Sequence, residues 1–313
     1  MASVVIIGFG CIGKHHYESC LKNKFIKKIY IIEKQNSQLK NYNFFYKEKK
    51  IEVFNTITYI KEIIFLTIVA TDSLNRYKTT LDFLKKNNTK NIIFEKFLFN
   101  KISEYNFISR LIKKKEIKAY VNCNRRLSKD YQSLKKKYKE KILGISVIGN
   151  SWGLLSNSIH FIDLFFFLTN IKQLKLHSFD FEKKILSKRK GYAELQSTII
   201  FKSQNYFLSI SDSKKHKENK ILIHFEKKIL NILENKNISY AHSLISNKIF
   251  KKNKIQNTYV SETTSKAIDN IVKYDDAGLV NYEESALQHK LLLISLKKIL
   301  KVNNFSFDEI AIT

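Results

Sequence analysis

The chain has no proline, only 8 glycines in 313 residues, 3 cysteines and one tryptophan, and its 28 acidic side chains face 56 basic ones. Each shortage excludes something. Cys11, Cys20 and Cys123 are odd in number and lack metal-ligand spacing, so neither a disulfide framework nor a zinc site is expected, and the thiols fit a reducing compartment. The longest apolar stretch, Ile159–Leu168, holds His160 and Asp163 and is too short to span a bilayer. Met1 leads straight into a strand-like Val4–Ile7, without the basic and apolar regions of a secretory leader. The expectation is a soluble, cytoplasmic protein with no membrane partner and no metal.

The formal net charge is +28. An excess of this size ordinarily points to nucleic acid. Here it consists almost entirely of lysines in twos and threes, such as Lys27-Lys28 and Lys113-Lys114-Lys115, and not of one long stripe. Arginine, which reads phosphates and bases bidentately, is scarce. Missing proline with plentiful Lys, Asn, Ile, Phe and Tyr fits drift toward AT-rich codons. No nucleic-acid partner is therefore expected; the excess is read first as codon drift, and second as a field that attracts an anionic small-molecule substrate. Hydrophobic residues at 44% are ample for buried cores, and 313 residues favour two domains.

The first third alternates short apolar runs with helix-like segments, the pattern of βαβ units feeding a parallel sheet. Strands are expected at Val4–Ile7, Lys28–Ile32, Ile63–Ala70 and Asn91–Phe94, because buried parallel strands are continuous Ile- and Val-rich runs. Helices are expected at Lys14–Lys22, Ser73–Asn87 and Ser103–Lys115, with Ser73 and Ser103 as N-caps. Ala119–Cys123 then closes the edge of a first domain spanning residues 1–122.

Residues 123–313 read differently. A helix at Lys129–Lys139, a strand at Ile145–Gly149 and a helix at Ile159–Leu168 precede successive strands at Gln173–Phe181, Ala193–Phe201, Tyr206–Ser211, Lys220–Phe225 and Ile229–Leu233. Short polar turns between strands favour an antiparallel sheet. Residues 243–266 are polar enough for a long loop, and Glu283–Leu300 has the leucine spacing of a helix. The fold class is α/β: an N-terminal Rossmann-type doubly wound parallel sheet, then an α+β domain with a largely antiparallel open sheet.

The sharpest motif is Gly8-Phe9-Gly10-Cys11-Ile12-Gly13, placed directly after the first strand and opening the first helix. The first glycine permits the turn, the second lets a pyrophosphate approach the backbone, and the third lets helix and strand pack closely. Amides at that helix start bind phosphate. Glu33 closes the second strand twenty residues after Gly13, placed to accept hydrogen bonds from ribose hydroxyls, which favours NAD. Lys34 keeps NADP open, since a cation there can hold a 2′-phosphate. Val69-Ala70-Thr71 and Phe94-Glu95-Lys96-Phe97 end two further strands at the edge where nucleotides lie in open sheets. Lys96 reads as an acid/base or hydroxyl-steering group, with Glu95 holding the lysine or the cofactor; the alternative is a surface ion pair. Asn124 and Arg126 are candidates to hold a substrate carboxylate or phosphate, or else belong to a hinge.

The fingerprint with His16, the Val69-Ala70-Thr71 strand end, Glu95-Lys96, Asn124-Arg125-Arg126 and His160-Phe161-Ile162-Asp163 occur in an order that resembles the Gfo/Idh/MocA family of NAD(P)-dependent oxidoreductases. The resemblance covers roughly residues 1–170. It implies a catalytic or substrate-positioning role for Lys96 and a catalytic one for His160, whose alternative is a satisfied core histidine. Asp163, one helical turn on, lies on the same helix face and is placed to orient the imidazole, or else serves as a structural cap or pair. Two departures stand out. Phe97 takes the place of the signature proline, and Ser156 and Ser158 stand where members often carry Asp and Gly.

The resulting expectation is an enzyme that moves hydride between NAD, or NADP, and a hydroxyl or keto group of a sugar, nucleotide-sugar or polyol; the resemblance supplies the substrate class. Lys96 and His160 handle the proton in this reading. A homodimer or tetramer is the family expectation. The alternative is a non-catalytic NAD(P)-binding sensor or subunit of the same fold, favoured by Phe97 and Ser156, and behind it a basic nucleic-acid-binding protein.

Overall fold

The computed structural model describes residues 2–40, 42, 47, 49–137, 140–187, 192–246, 249, 253–255, 260–305 and 312. The chain divides into two compact units, Met1–Leu127 with Thr258–Leu287, and Ser128–Asn257 with Gln288–Thr313. This division differs from a single cut after residue 122, because a late segment returns to the first unit.

In order, the chain forms β1 (Ala2–Ile7), α1 (Cys11–Lys22), β2 (Ile26–Ile32), α2 (Asn36–Leu39), β3 (Lys50–Phe54), β4 (Ile64–Val69), α3 (Ser73–Lys86), β5 (Thr89–Phe94), α4 (Ile102–Lys114) and β6 (Lys118–Val121). The second unit follows with α5 (Lys129–Lys137), β7 (Ile142–Gly149), α6 (Leu154–Thr169), β8 (Lys175–Leu186), β9 (Ala193–Ser203), β10 (Tyr206–Asp212), β11 (Lys220–Phe225), β12 (Lys228–Leu233), β13 (Ile238–Ser243) and β14 (Asn253–Lys254). Last come α7 (Val260–Tyr274), β15 (Val280–Asn281) and α8 (Tyr282–Val302).

The first unit's sheet runs β15-β6-β5-β4-β1-β2-β3. Its six N-terminal strands are parallel in the order 3-2-1-4-5-6, the doubly wound arrangement in which a dinucleotide crosses where the order reverses, beside β1. Burial on both faces explains the apolar runs: Val4, Val5, Ile6, Leu66 and Ile68 are all fully buried. Ile268, Ile271 and Leu279 from the returning segment belong to the same core cluster as Val4 and Ile6.

The sequence expectation needs correction at several points. Strand β6 is not the sheet edge, because Val280 and Asn281 pair antiparallel with Val121 and Tyr120. Residues 243–266 are not one long loop: they contain β14 and the start of α7, whose 15 residues carry an apolar face that packs on α1. The N-cap of α3 is Asp72, not Ser73, since its carboxylate accepts from the amides of Leu74 and Asn75, each at 3.1 Å. Helix α4 starts after Lys101 with no side-chain cap, not at Ser103. The expected end of α5 at residues 138 and 139 lies outside the described residues.

The second unit is built on an eight-stranded sheet, β14-β13-β12-β11-β7-β10-β9-β8, antiparallel except for β7 beside β10. Helix α6 packs on β7, β9 and β10, with Ile162 and Phe165 fully buried, and starts five residues earlier than its apolar run announces. It ends at Asn170, whose φ of 56° is the left-handed turn asparagine tolerates. No helix among the described residues is long and apolar enough to cross a membrane.

Removing the Asp72 cap tests the assignment. Asp72→Ala is expected to lose about 1 kcal/mol, seen as a lower denaturation midpoint, whereas Ser73→Ala should lose less; the reverse ranking would return the cap to Ser73.

Candidate functional site

The site begins at the carboxyl end of β1. Gly8 has a φ of 92°, and a Cβ there would stand 2.9 Å from the backbone of Ala70 and Thr71, so the turns after β1 and β4 touch. Gly13 is tighter still: a Cβ would lie 2.0 Å from the Gly8 carbonyl oxygen. At Gly10, in contrast, nothing lies within 4 Å of an added Cβ. Two glycines of the fingerprint therefore serve packing, and the middle one faces open space. Gly10 is also the N-cap of α1, with no side-chain cap and no acidic residue in the first turn, so the amides that follow are oriented for an anion. Cys11 and Ile12 are exposed on this first turn, and Cys11 Sγ lies 3.8 Å from His15 Nε2.

Phe9 points the other way. It is fully buried, edge-on to Tyr17 and Tyr42 at 5.5 and 5.0 Å, while its amide donates to Glu33 Oε2 at 2.6 Å. Glu33 Oε1 accepts from the Gln35 amide at 2.9 Å. The acidic residue that closes β2 thus ties the glycine turn to the next loop, and each oxygen retains a further lone pair for a ribose hydroxyl. Lys34 is exposed.

Behind the turn lies a polar cluster that the sequence did not announce. His16 is fully buried, with Nδ1 2.7 Å from Thr264 Oγ1 on α7 and Nε2 3.0 Å from Glu95 Oε1. An ionised carboxylate only accepts, so Nε2 carries the proton and donates. Asn122 Nδ2, just past β6, donates to the same oxygen at 2.5 Å. Glu95 is thus not a surface ion pair. Burial pushes its pKa up, but the hydrogen bond and charge of His16, the Asn122 amide and the charge of Arg76 outweigh that and hold it below the ordinary 4.5.

Arg76 on α3, also buried, donates to the carbonyls of Thr71 and Phe97, and more weakly to that of Leu98 at 3.4 Å. Thr71 Oγ1 is buried and has no hydrogen-bond partner among the described residues. Lys96 follows Glu95 half-buried, and the Lys96–Phe97 peptide is cis. Asn124 and Arg126 lie in a 3-10 turn after β6; Arg126 Nη2 bonds Glu284 Oε1 at 2.5 Å, so it already has an anionic partner.

The two remaining candidates belong to the second unit. His160 is half-buried on α6 and Asp163 is fully buried. Two carboxylates fix the start of that helix. Asp212 accepts from the amides of Ser151 at 2.6 Å and Gly153 at 3.1 Å, and Glu194 from those of Leu155 at 2.7 Å and Ser156 at 3.2 Å. Burial lifts the Asp212 pKa above its ordinary value, against the lowering effect of those amides. No cluster of His, Cys, Asp or Glu suited to a metal occurs among the described residues.

Fold and site together define a two-unit α/β protein whose first unit carries a glycine turn and an uncapped helix start at the switch point of a doubly wound parallel sheet. No family model matches the sequence, and no curated protein matches it. Solved structures do. The dehydrogenase MviM from Clostridium difficile matches at 17% identity over 96% of this chain and 99% of its own, with a TM-score of 0.70. UDP-N-acetylglucosamine 3-dehydrogenase GnnA from Acidithiobacillus ferrooxidans matches at 8% identity, 95% and 96% coverage and 0.67. The super-repressor mutant of Gal80p, from Saccharomyces cerevisiae, matches at 14% identity, 96% of each chain and 0.72. The chain has the Gfo/Idh/MocA-type fold.

The lowered Glu95 pKa carries a sign. A carboxylate held below its unfolded value contributes stability that is present above about pH 4.5 and is lost as pH falls toward the folded pKa. Urea midpoints should therefore drop below that pH in the wild type. Glu95→Gln should flatten this acid limb, after losing about 3 to 5 kcal/mol at neutral pH; an unchanged acid limb would show that Glu95 is not the group responsible.

Proposed function

We propose that the protein is an NAD(P)-dependent oxidoreductase, preferring NAD, that moves hydride between nicotinamide and a hydroxyl or keto carbon of a sugar, nucleotide-sugar or polyol. The observation that carries the reading is the open space at Gly10, set between two glycines with no room for a side chain, at the point where strand order reverses. The buried, unpartnered Thr71 Oγ1, on the turn whose backbone touches Gly8, supports a ligand at the same sheet edge.

In this reading the amides after Gly10 hold the pyrophosphate and Glu33 takes the adenosine ribose hydroxyls, its negative charge opposing a 2′-phosphate. The cofactor supplies the hydride acceptor or donor. Lys96 gives or takes the hydroxyl proton, placed at the end of β5 next in the chain to Glu95, which His16 and Asn122 anchor. His160 is the second acid/base candidate, on a helix whose start Asp212 and Glu194 fix, with Asp163 one turn on. Asn124 is the polar group offered to substrate; Arg126 serves there only by sharing Glu284. The dehydrogenase likenesses support this class, and the Gal80p likeness, with Ser156 and Phe97, favours a second reading as a nucleotide-binding regulator without turnover.

Titrating NADH and NADPH by fluorescence tests the first reading. Saturable NADH binding is expected, with NADPH weaker. Gly10→Ala should lower Tm by no more than about 4 °C, yet weaken NADH by about tenfold or more as its methyl meets the pyrophosphate. If neither nucleotide binds, the cofactor assignment falls. Given binding, Lys96→Ala and His160→Ala should abolish turnover in a screen of sugar and nucleotide-sugar alcohols while NADH affinity persists; binding without turnover on any of them would favour the regulator.

A further inference from the structure

We propose that Arg76 is a positioning residue for the nicotinamide half of the cofactor site, its buried guanidinium tying the turn after β4 to the turn after β5. The inference rests on the cofactor reading above. It starts from an unusual burial: Arg76 is 2% exposed on α3, whose other buried side chains are all uncharged. A guanidinium stays charged at any working pH, so burying one is unfavourable unless carbonyls or anions meet it.

Here they do, and the partners are selective. The Thr71 carbonyl lies two residues beyond β4, and those of Phe97 and Leu98 lie just after Lys96. One planar, rigid group therefore fixes the spacing between the segment carrying the unpartnered Thr71 hydroxyl and the segment carrying Lys96. The same cation helps to hold Glu95 ionised, and Glu95 precedes Lys96 in the chain. A lysine cannot reproduce the arrangement, since an ammonium is a point charge without the fork that spans separate carbonyls.

Position in the sheet says which half of the ligand is affected. A doubly wound sheet binds the two nucleotides of a dinucleotide on opposite sides of the switch point. Glu33 and β2 lie on one side of β1, and β4 and β5, the strands whose ends Arg76 joins, lie on the other. Loss of Arg76 should thus loosen the nicotinamide side and leave the adenosine side intact. General destabilisation would not make that distinction.

The experiment compares two probes, NADH and ADP-ribose, on the full chain by titration calorimetry. For Arg76→Gln the expected result is a Kd for NADH raised about tenfold, as hydrogen bonds to the two turns are lost. The Kd for ADP-ribose, which lacks the nicotinamide, should move less than about threefold. Arg76→Lys should fall between wild type and Arg76→Gln, because charge alone restores only part of the clamp. Should Arg76→Gln fail to fold, Arg76→Lys decides by the same ratio. Equal losses for both probes, or none, overturn the inference while leaving the cofactor reading in place. A wild-type protein that binds neither probe overturns both.

Discussion

The contact between His16 and Glu95 is the constraint on which the first unit hangs. An ionised carboxylate carries an effective burial penalty of several kcal/mol, which must be met by donors in good geometry. Its partners come from different places in the chain: His16 from α1 and Asn122 from the end of β6 as donors, and Arg76 nearby as a charge. The imidazole in turn reaches Thr264 on the returning helix. Satisfying one carboxylate thus orients α1, the ends of β5 and β6, and α7 together. The residue beside it, Lys96, inherits its placement from this arrangement.

A chain without proline needs other means to hold its turns. Proline narrows the unfolded ensemble and fixes a turn locally; here side chains reach back to the backbone instead. Glu33 takes the amides of Phe9 and Gln35, Asp72 those of Leu74 and Asn75, and Asp212 with Glu194 four amides at the start of α6, while Arg76 takes carbonyls. The same device recurs in both units. It also explains why acidic residues, outnumbered two to one, include several that are buried and structural.

Much of this was legible in the sequence. Buried parallel strands announced themselves as runs such as Val4–Ile7, and the glycine fingerprint marked the turn between β1 and α1, because these signals are local and each residue acts through its own stretch of backbone. Arg76 and the His16 cluster were not legible. An arginine followed directly by Tyr77, Lys78, Thr79 and Thr80 reads as surface, and only the three-dimensional approach of Thr71, Phe97 and Leu98 shows otherwise. Helix α7 was hidden for a related reason: its polar composition around Ser261–Ser265 resembles a loop, and its helical state depends on packing against α1. The edge status of β6 failed likewise, since a two-residue partner strand has no periodicity to read.

The returning segment has a consequence for how the protein is made. His16 and Thr264 are 248 positions apart, and Ser19 on α1 and Asn23 at its C-terminal cap bond to Ser265 and Asp269 across similar spans. At a synthesis rate of roughly 5–20 residues per second, the stretch from Ser128 to Asn257 takes about 7 to 26 seconds to emerge. Throughout that interval α1 waits on the ribosome with one flank uncovered. That flank presents an imidazole, a hydroxyl and an amide, groups that water satisfies almost as well as α7 does. Beside these polar groups lies the apolar face that Ile268, Ile271 and Leu279 later cover, so the nascent first unit keeps part of its core open to water while its last helix is being translated.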